Sequence, residues 1–224
     1  MNLILKTAYT SLVFQIVLGI IGIHGIFIKL QEKDSILTHI MIMETIVQFI
    51  ELSFYIWIIM HLSKISYEVT FVRYFDWFIT TPIMLISTIF FMKYLNLRGK
   101  TIVNIDYMYQ NNFFDILLIF ISNLVMLIFG FLSELKIISR PIGFIFGTIA
   151  FAYSFYIIYS EFVGSNITNL ILFLFLLIIW FFYGIAFLFP YVTKNTMYNF
   201  LDIISKNFYG LFIYYNILKA ANFI

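Results

Sequence analysis

Six ionisable residues lie within apolar stretches long enough to cross a membrane, and their spacing places them in pairs. The members of each pair are three, four or seven positions apart, so they share one face of a helix. Ionisable groups inside a bilayer are costly, and they commonly mark an ion path, a proton path or a counter-ion. The pairs are Arg73 with Asp76, Asp202 with Lys206, and Glu44 with Glu51.

The lysine of this set has the most distinctive chemistry. Burial favours the uncharged form of an amine, and an uncharged amine is a nucleophile for an aldehyde. A protonated imine formed at Lys206 needs carboxylate counter-ions, and Asp76 and Asp202 are available. With Arg73 included, the four formal charges cancel. The third and seventh apolar stretches can therefore bring these residues together in a buried cluster.

The same four charges have a second interpretation, a structural network of ion pairs that joins the two helices. Buried ion pairs usually stabilise a protein no better than apolar packing of the same volume. A functional use is therefore favoured, although the structural interpretation stays open at this point.

The apolar composition of the chain predicts the helices that position these residues. The chain has 224 residues, of which 63% are hydrophobic and 11% are charged, and its mean hydropathy is +1.01. Soluble domains carry roughly 25% charged residues, so the composition indicates a polytopic membrane protein. A spanning helix needs about 20 mostly apolar residues, and we predict one seven-helix domain over residues 1–224. The predicted spans are about 7–29, 36–62, 67–92, 112–132, 137–160, 167–190 and 196–219.

Several classes of function and site are disfavoured by the composition. The chain has no Cys, which excludes disulfides and thiolate chemistry, and a formal net charge of +2 is too small to indicate nucleic-acid binding. His24, His39 and His61 lack ligand spacing with a carboxylate, so we expect no metal site. The apolar run at the N-terminus lacks a small-residue cleavage motif, so we expect the first span to be retained.

The orientation in the lipid bilayer follows weakly from charge. With the N-terminus outside and the C-terminus in the cytoplasm, the cytoplasmic ends hold six Lys and Arg residues against five at the outer ends. The positive-inside rule therefore favours this orientation by one charge.

The stretch Arg73-Tyr74-Phe75-Asp76-Trp77-x-x-Thr80-Thr81-Pro82, followed by Asp202-x-x-x-Lys206, resembles the microbial (type 1) rhodopsins. This resemblance implies an all-α, rhodopsin-like bundle of seven transmembrane helices. It also implies that Lys206 carries all-trans-retinal as a Schiff base, that Asp76 is the primary counter-ion and proton acceptor, and that Asp202 is the second counter-ion. Arg73 is expected on the outer side of both, and the Thr80 hydroxyl is within reach of the Asp76 carboxylate.

The resemblance also assigns a chromophore pocket. The third span contributes Trp77, Thr81 and Met84, and the sixth contributes Trp180, Tyr183 and Phe187. The fourth and fifth spans align less specifically, because apolar helices align easily. From these two spans the pocket residues expected are Asn123, Met126, Gly130, Phe144, Gly147, Thr148 and Phe151.

Departures from the pump pattern indicate which group of microbial rhodopsins the sequence resembles. Ser87 occupies the position, eleven residues after Asp76, where strong pumps carry a carboxylate proton donor. The resulting Asp76, Thr80, Ser87 triplet and the short loops resemble the viral rhodopsins of giant viruses that infect marine protists. In one group of these, polar residues form an ion path. The matching candidates are Ser11, Gln15, Glu44, Glu51 and Asn207.

Four functions remain open from the sequence. An outward light-driven proton pump is slightly favoured, because an Asp acceptor with a neighbouring Thr is the pump arrangement. A light-gated cation channel follows closely, since Glu44 and Glu51 could line a path for small cations. A sensory photoreceptor with a separate transducer is third, and the last is a seven-helix protein without retinal. None of these is an enzyme. A homo-oligomer and the membrane of a host cell are compatible with the resemblance.

Overall fold

The computed structural model describes residues 3–62 and 70–223. In it the chain crosses the bundle seven times, as predicted. Six of the spans are single α-helices, apart from a π-helical turn, Tyr159–Val163, that extends the fifth. The seventh consists of two helices on either side of a second π-helical turn, Ile203–Asn207. The helices are α1 Leu3–Ile26, α2 Ile36–His61, α3 Arg73–Leu97, α4 Ile105–Glu134, α5 Arg140–Ile158, α6 Ile167–Phe187, α7 Tyr191–Asp202 and α8 Phe208–Ala220.

The third and fourth helices extend further than the sequence predicted. Hydropathy alone ends the third span near residue 92 and begins the fourth near 112, which leaves a long connection. In the structure the connection is only 98–104. Tyr94 and Met108 are buried, and the Asn104 side chain caps α4 by accepting a hydrogen bond from the Tyr107 amide at 2.8 Å. The predicted start of the third span, 67–69, lies outside the described residues.

Within the described ranges, six helices are long and apolar enough to cross a membrane. The seventh span is not among them, because polar residues at its centre, including Asp202 and Lys206, lower its hydropathy. The chain nevertheless returns across the bundle a seventh time, since α7, the turn and α8 are continuous. Contacts with neighbouring helices therefore stabilise this span inside the bundle, since its own apolar content is low.

The bundle buries polar side chains inside and exposes large apolar side chains outside. Large apolar side chains such as Phe114 and Phe27 are mostly exposed, while Glu44, Glu51 and Arg73 are completely buried. This distribution suits a surface that faces lipid and an interior that pairs its own polar groups.

Glycines let α1 approach its neighbours closely. A side chain at Gly22 would meet the Thr45 hydroxyl of α2 at 2.5 Å, and one at Gly25 would meet the Tyr214 ring of α8 at 3.0 Å. Small residues allow this kind of contact between membrane helices. The close packing brings the polar face of α1 against α2 and the seventh span.

We name the two ends of the bundle by residues of α1. The Leu3 face also carries the ends of α2 and α4 and the starts of α3 and α7. The Ile26 face carries the start of α2, the end of α3 and the end of α8.

Candidate functional site

Lys206 lies in the π-helical turn of the seventh span and is surrounded by three carboxylates. Its Nζ is 2.9 Å from Glu51 Oε1, 3.2 Å from Asp76 Oδ2 and 3.5 Å from Asp202 Oδ1. The lysine side chain is only 2% exposed. The acids come from α2, α3 and α7, so three elements converge on one nitrogen. Such a shell stabilises a positive charge at this nitrogen.

Glu51 was not predicted to be one of the carboxylates around Lys206. The sequence paired Lys206 with Asp76 and Asp202 and assigned Glu51 to an ion path. The structure puts Glu51 nearest to the amine. If all the groups are ionised, the cluster of Arg73, Lys206 and three carboxylates carries one net negative charge, not the neutrality predicted.

Asp202 is fixed by three donors besides its proximity to Lys206. Arg73 lies 3.3 Å from its Oδ2, and the Tyr55 hydroxyl donates to the same oxygen at 2.7 Å. Tyr183 donates to Oδ1 at 2.7 Å, and Lys206 approaches that oxygen as well. Arg73 and Asp202 are fully buried. A carboxylate satisfied so completely is held in one position.

Arg73 connects this cluster to the Leu3 face. Its Nε donates to Asn195 Oδ1 at 3.0 Å, and its Nη2 donates to Asn199 Oδ1. Asn199 in turn donates to Thr7 Oγ1 at 2.7 Å and to the Ile4 carbonyl at 3.1 Å. Arg73, Asn195, Asn199 and Thr7 are therefore joined in one hydrogen-bonded network on this side of Lys206.

Asp76 is held less completely, and one expectation about it was wrong. The Thr80 hydroxyl does not contact the Asp76 carboxylate but donates to the Asp76 main-chain carbonyl at 3.0 Å. That carbonyl lies one turn earlier, and a helical Thr often chooses it. Within residues 3–62 and 70–223, Asp76 Oδ1 is buried and has no hydrogen-bond partner. One oxygen of Asp76 is thus available to another group.

An apolar cavity begins at Lys206 and extends between α3, α4, α5 and α6. Every chromophore residue that the sequence proposed lines this cavity, apart from Asn123. Asn123 lies behind the lining and donates to Thr81 Oγ1 at 2.8 Å. The lining residues predicted are Trp77, Thr81, Met84, Met126, Gly130, Phe144, Gly147, Thr148, Phe151, Trp180, Tyr183, Phe187 and Lys206.

The sequence missed some lining residues. Tyr198 and Tyr183 stack with ring centroids 5.7 Å apart, and the Trp77 ring meets Tyr198 edge-on at 4.9 Å. Gly143 and Gly184 also line the cavity. Gly143 precedes Gly147 by one helical turn, and this spacing was the signal that could have identified it.

We expect Gly147→Phe to prevent a long apolar ligand from entering this cavity, while Gly147→Ala leaves entry intact. A β-carbon at Gly147 would meet only the Met126 carbonyl, at 3.6 Å, so alanine fits and a phenyl ring fills the space. The measurement is the visible band formed when all-trans-retinal is added to purified apoprotein. A full band in the Phe variant would contradict the position of the cavity.

A second polar group lies where α1 and α2 meet the seventh span. Gln15 donates to Glu51 Oε2 at 2.7 Å, and the Ser11 hydroxyl donates to the Asn199 carbonyl at 2.9 Å. Both residues are buried in the bundle, so neither is exposed at a water interface. The Ser87 hydroxyl of α3 donates to Glu44 Oε1. All five predicted path residues thus line the bundle interior.

Several atoms of this region are buried without a hydrogen-bond partner in the described part of the chain. Both side-chain polar atoms of Gln48 and both of Asn207 belong to this set, together with Gln15 Oε1 and Glu44 Oε2. Gln48 was not identified from the sequence, although it lies on the same face of α2 as Glu44 and Glu51. Buried polar atoms of this kind are usually satisfied by water or ions.

A separate ion pair lies at the Leu3 face. Both oxygens of Glu134, at the end of α4, accept from Lys194 of α7 at 2.7 Å. The sequence placed Lys194 in a loop, whereas it lies in the first turn of α7 and is fully buried. This pair is spatially separate from the three carboxylates around Lys206.

A seven-span bundle with a buried lysine in its last span, facing acids of neighbouring helices beside an apolar cavity, defines the microbial rhodopsin class. The chain belongs to this class as a member of the bacteriorhodopsin-like protein family, whose profile matches residues 6–220.

Solved structures support this membership. The crystal structure of the viral rhodopsin OLPVRII shares 29% identity and a TM-score of 0.86 over 97% of this chain and 99% of that one. The predicted resemblance to viral members of the class is thereby confirmed. No curated protein sequence matches the chain significantly.

More distant structures share the fold. The proton-pumping rhodopsin AR2 from the marine alga Acetabularia acetabulum has 17% identity and a TM-score of 0.75, covering 98% of this chain and 97% of that one. Thermophilic rhodopsin from Rubrobacter xylanophilus has 16% identity and a TM-score of 0.78, with 97% of each chain covered.

Proposed function

We propose that this protein binds all-trans-retinal through Lys206 and opens a cation path in response to light. The observation that carries the choice of a channel is the set of buried, unpaired polar atoms between α1, α2 and the seventh span. We further propose that the Leu3 face is the outer side, in agreement with the distribution of Lys and Arg.

The cavity fits this ligand in chemistry. A long apolar polyene with one aldehyde needs an apolar channel that ends at an amine, and the cavity lining ends at Lys206. Retinal held there as a Schiff base would supply visible absorption and a light-driven change of shape. Trp77, Trp180 and Tyr183 of the lining would contact the ligand, and Glu51, Asp76 and Asp202 would balance the charge of the nitrogen.

The path proposed for cations follows one face of α2. Glu44 and Glu51 are seven residues apart, which corresponds to about 10 Å along a helix, and Gln48 lies between them. Water that satisfies the unpaired atoms would hydrate this half of the bundle. Carboxylates along such a path attract cations and repel anions.

Hydrogen bonds in the half of the bundle near the Leu3 face support the proposal that the path is closed without light. There the Asn199 side chain pairs with Arg73, Thr7 and the Ile4 carbonyl, and Ser11 pairs with the Asn199 carbonyl. A positive Arg73 at this constriction also repels cations. Because Arg73 contacts Asp202, a change at the Lys206 nitrogen can reach this constriction through one shared carboxylate.

An outward proton pump is the second candidate, and it was the function that the sequence slightly favoured. Two observations support it. Asp76 lies 3.2 Å from Lys206 Nζ and keeps one unpaired oxygen, as a proton acceptor would. Glu44, bonded to Ser87 on the Ile26 side, could return a proton although Ser87 itself cannot. A sensory photoreceptor is third, with no observation that favours it.

Voltage clamp separates these candidates. We expect cells that express the full chain with retinal to give a light-evoked current that reverses sign when the cation gradient and the membrane potential are reversed. A current of fixed direction, together with acidification of an unbuffered suspension that a protonophore abolishes, would support the pump instead. Absence of any light-evoked current or proton movement would exclude both.

A further inference from the structure

We propose that Gln48 determines the cation selectivity of this protein by holding a partly dehydrated alkali cation together with Gln15, Asn207 and Glu44. This inference depends on the cation path proposed above. It concerns a residue to which neither the sequence motifs nor the comparisons assign a role.

Gln48 lies at the centre of the unpaired polar group. It follows Glu44 by one helical turn and precedes Glu51 by three residues, so all three project from one face of α2. Glu51 contacts Gln15 and Lys206, and Glu44 contacts Ser87 of α3. Gln48 therefore occupies the level between two anchored carboxylates, and it is only 3% exposed.

The seventh span provides the opposite wall at this level. The Gln48 Nε2 atom lies 3.7 Å from the point where a side chain at Gly210 would begin. Gly210 has none, so the Gln48 amide approaches the backbone of the seventh span directly. Asn207 precedes Gly210 by three residues and lies on the same side of that span. Its amide is also buried and without a partner among residues 3–62 and 70–223.

The available oxygens favour a monovalent ion. Among the proposed ligands, amide atoms of Gln15, Gln48 and Asn207 and one carboxylate oxygen, from Glu44, are buried without a partner in the described part of the chain. In the described ranges, no group of three or more His, Cys, Asp or Glu side chains could hold a metal ion. Divalent ions such as Ca²⁺ prefer several carboxylate ligands. Neutral amide oxygens that replace water around an ion select among alkali cations.

Side-chain amides are also suited to a site through which ions pass. Each presents both an acceptor oxygen and a donor NH2 group, and it can rotate to offer either. A passing cation would meet the oxygens, and water would meet both groups when the cation has left. Gln48 can therefore bind weakly enough to release its ion, as permeation requires.

The test is whole-cell recording of Gln48→Leu and Gln48→Glu under bi-ionic K⁺ and Na⁺ conditions. Leucine keeps the approximate volume but removes the amide, so we expect the light-evoked current per unit of visible band to fall about tenfold, as loss of a buried polar partner predicts. Glutamate adds a second free carboxylate, so we expect Ca²⁺ permeability relative to K⁺ to rise.

The control is Asn112→Leu. Asn112 is a buried amide of α4 whose oxygen also lacks a partner in the described part of the chain, but it belongs to neither the cavity lining nor the proposed path. It should retain the wild-type current and reversal potential. If Gln48→Leu gives no visible band, Gln48→Asn, with its amide withdrawn by one methylene, should still change the K⁺ to Na⁺ permeability ratio.

Wild-type current amplitude and permeability ratios in every Gln48 variant that forms the visible band would overturn this inference and leave the channel intact. A wild-type protein that passes no reversing current would instead overturn the proposed channel. The two failures are therefore distinguishable in one series of recordings.

Discussion

Lys206→Ala is expected to remain colourless when all-trans-retinal is added, whereas the wild-type protein develops a visible band. The cavity ends at this amine, and no other residue of its described lining can condense with an aldehyde. The loss should be complete, because condensation requires the amine itself. Absorption spectra of purified protein before and after addition of retinal provide the measurement.

The controls separate loss of the amine from loss of the fold. Removing Lys206 leaves buried carboxylates without a cation, which can cost about 3–5 kcal/mol. Lys206→Arg restores a positive charge without a condensing amine and should also be colourless. Lys194 is an equally buried lysine, paired with Glu134, and Lys194→Met should keep the band. A band in Lys206→Ala, or a colourless Lys194→Met that remains folded, would contradict the assignment.

Glu51→Gln is expected to reduce the light-evoked cation current at least about tenfold without abolishing the visible band. A glutamine keeps the size of the side chain and can still accept from Lys206 through its one amide oxygen, but its NH2 group cannot accept from Gln15, so the charge and one acceptor are lost. Two unit charges 4 Å apart interact by about 4 kcal/mol at an effective dielectric constant near 20, which exceeds the 1.4 kcal/mol of a tenfold change. The current is measured per unit of visible absorbance.

Glu134→Gln is the matched control for this variant. Glu134 is also a buried carboxylate in contact with a lysine, but it lies at the Leu3 face beyond the three-carboxylate shell. Its neutralisation should leave the current within about twofold of the wild type, because its charge is remote from the path. Equal losses in both variants, or an unchanged current in Glu51→Gln, would exclude a special role for Glu51.

Hydropathy predicted the seven-span fold because burial in lipid imposes length and apolar content on each span. It placed the helix ends less well. Tyr94 and Met108 are buried where the apolar windows end, and these side chains extend α3 and α4 past the predicted boundaries. Sequence windows average over such single residues, so the connection between these helices was predicted to be too long.

The cavity was predictable because two specific motifs fixed the third and seventh spans relative to each other. Contacts that depend on helix rotation were not predictable. Glu51 reaches Lys206 because this face of α2 is turned toward the seventh span, and spacing along the sequence does not determine that rotation. The Thr80 hydroxyl had two acceptors within reach, and spacing alone could not decide between the carboxylate and the carbonyl.

The interrupted seventh span has a consequence for biogenesis. Six helices are apolar enough to partition into the bilayer individually, at least among the described residues, whereas the segment with Asp202 and Lys206 would pay a penalty of several kcal/mol for its charges if it entered lipid alone. We therefore expect this segment to insert only against preassembled helices that already offer Glu51 and Asp76. The charged cluster around Lys206 would then also be required for complete membrane integration.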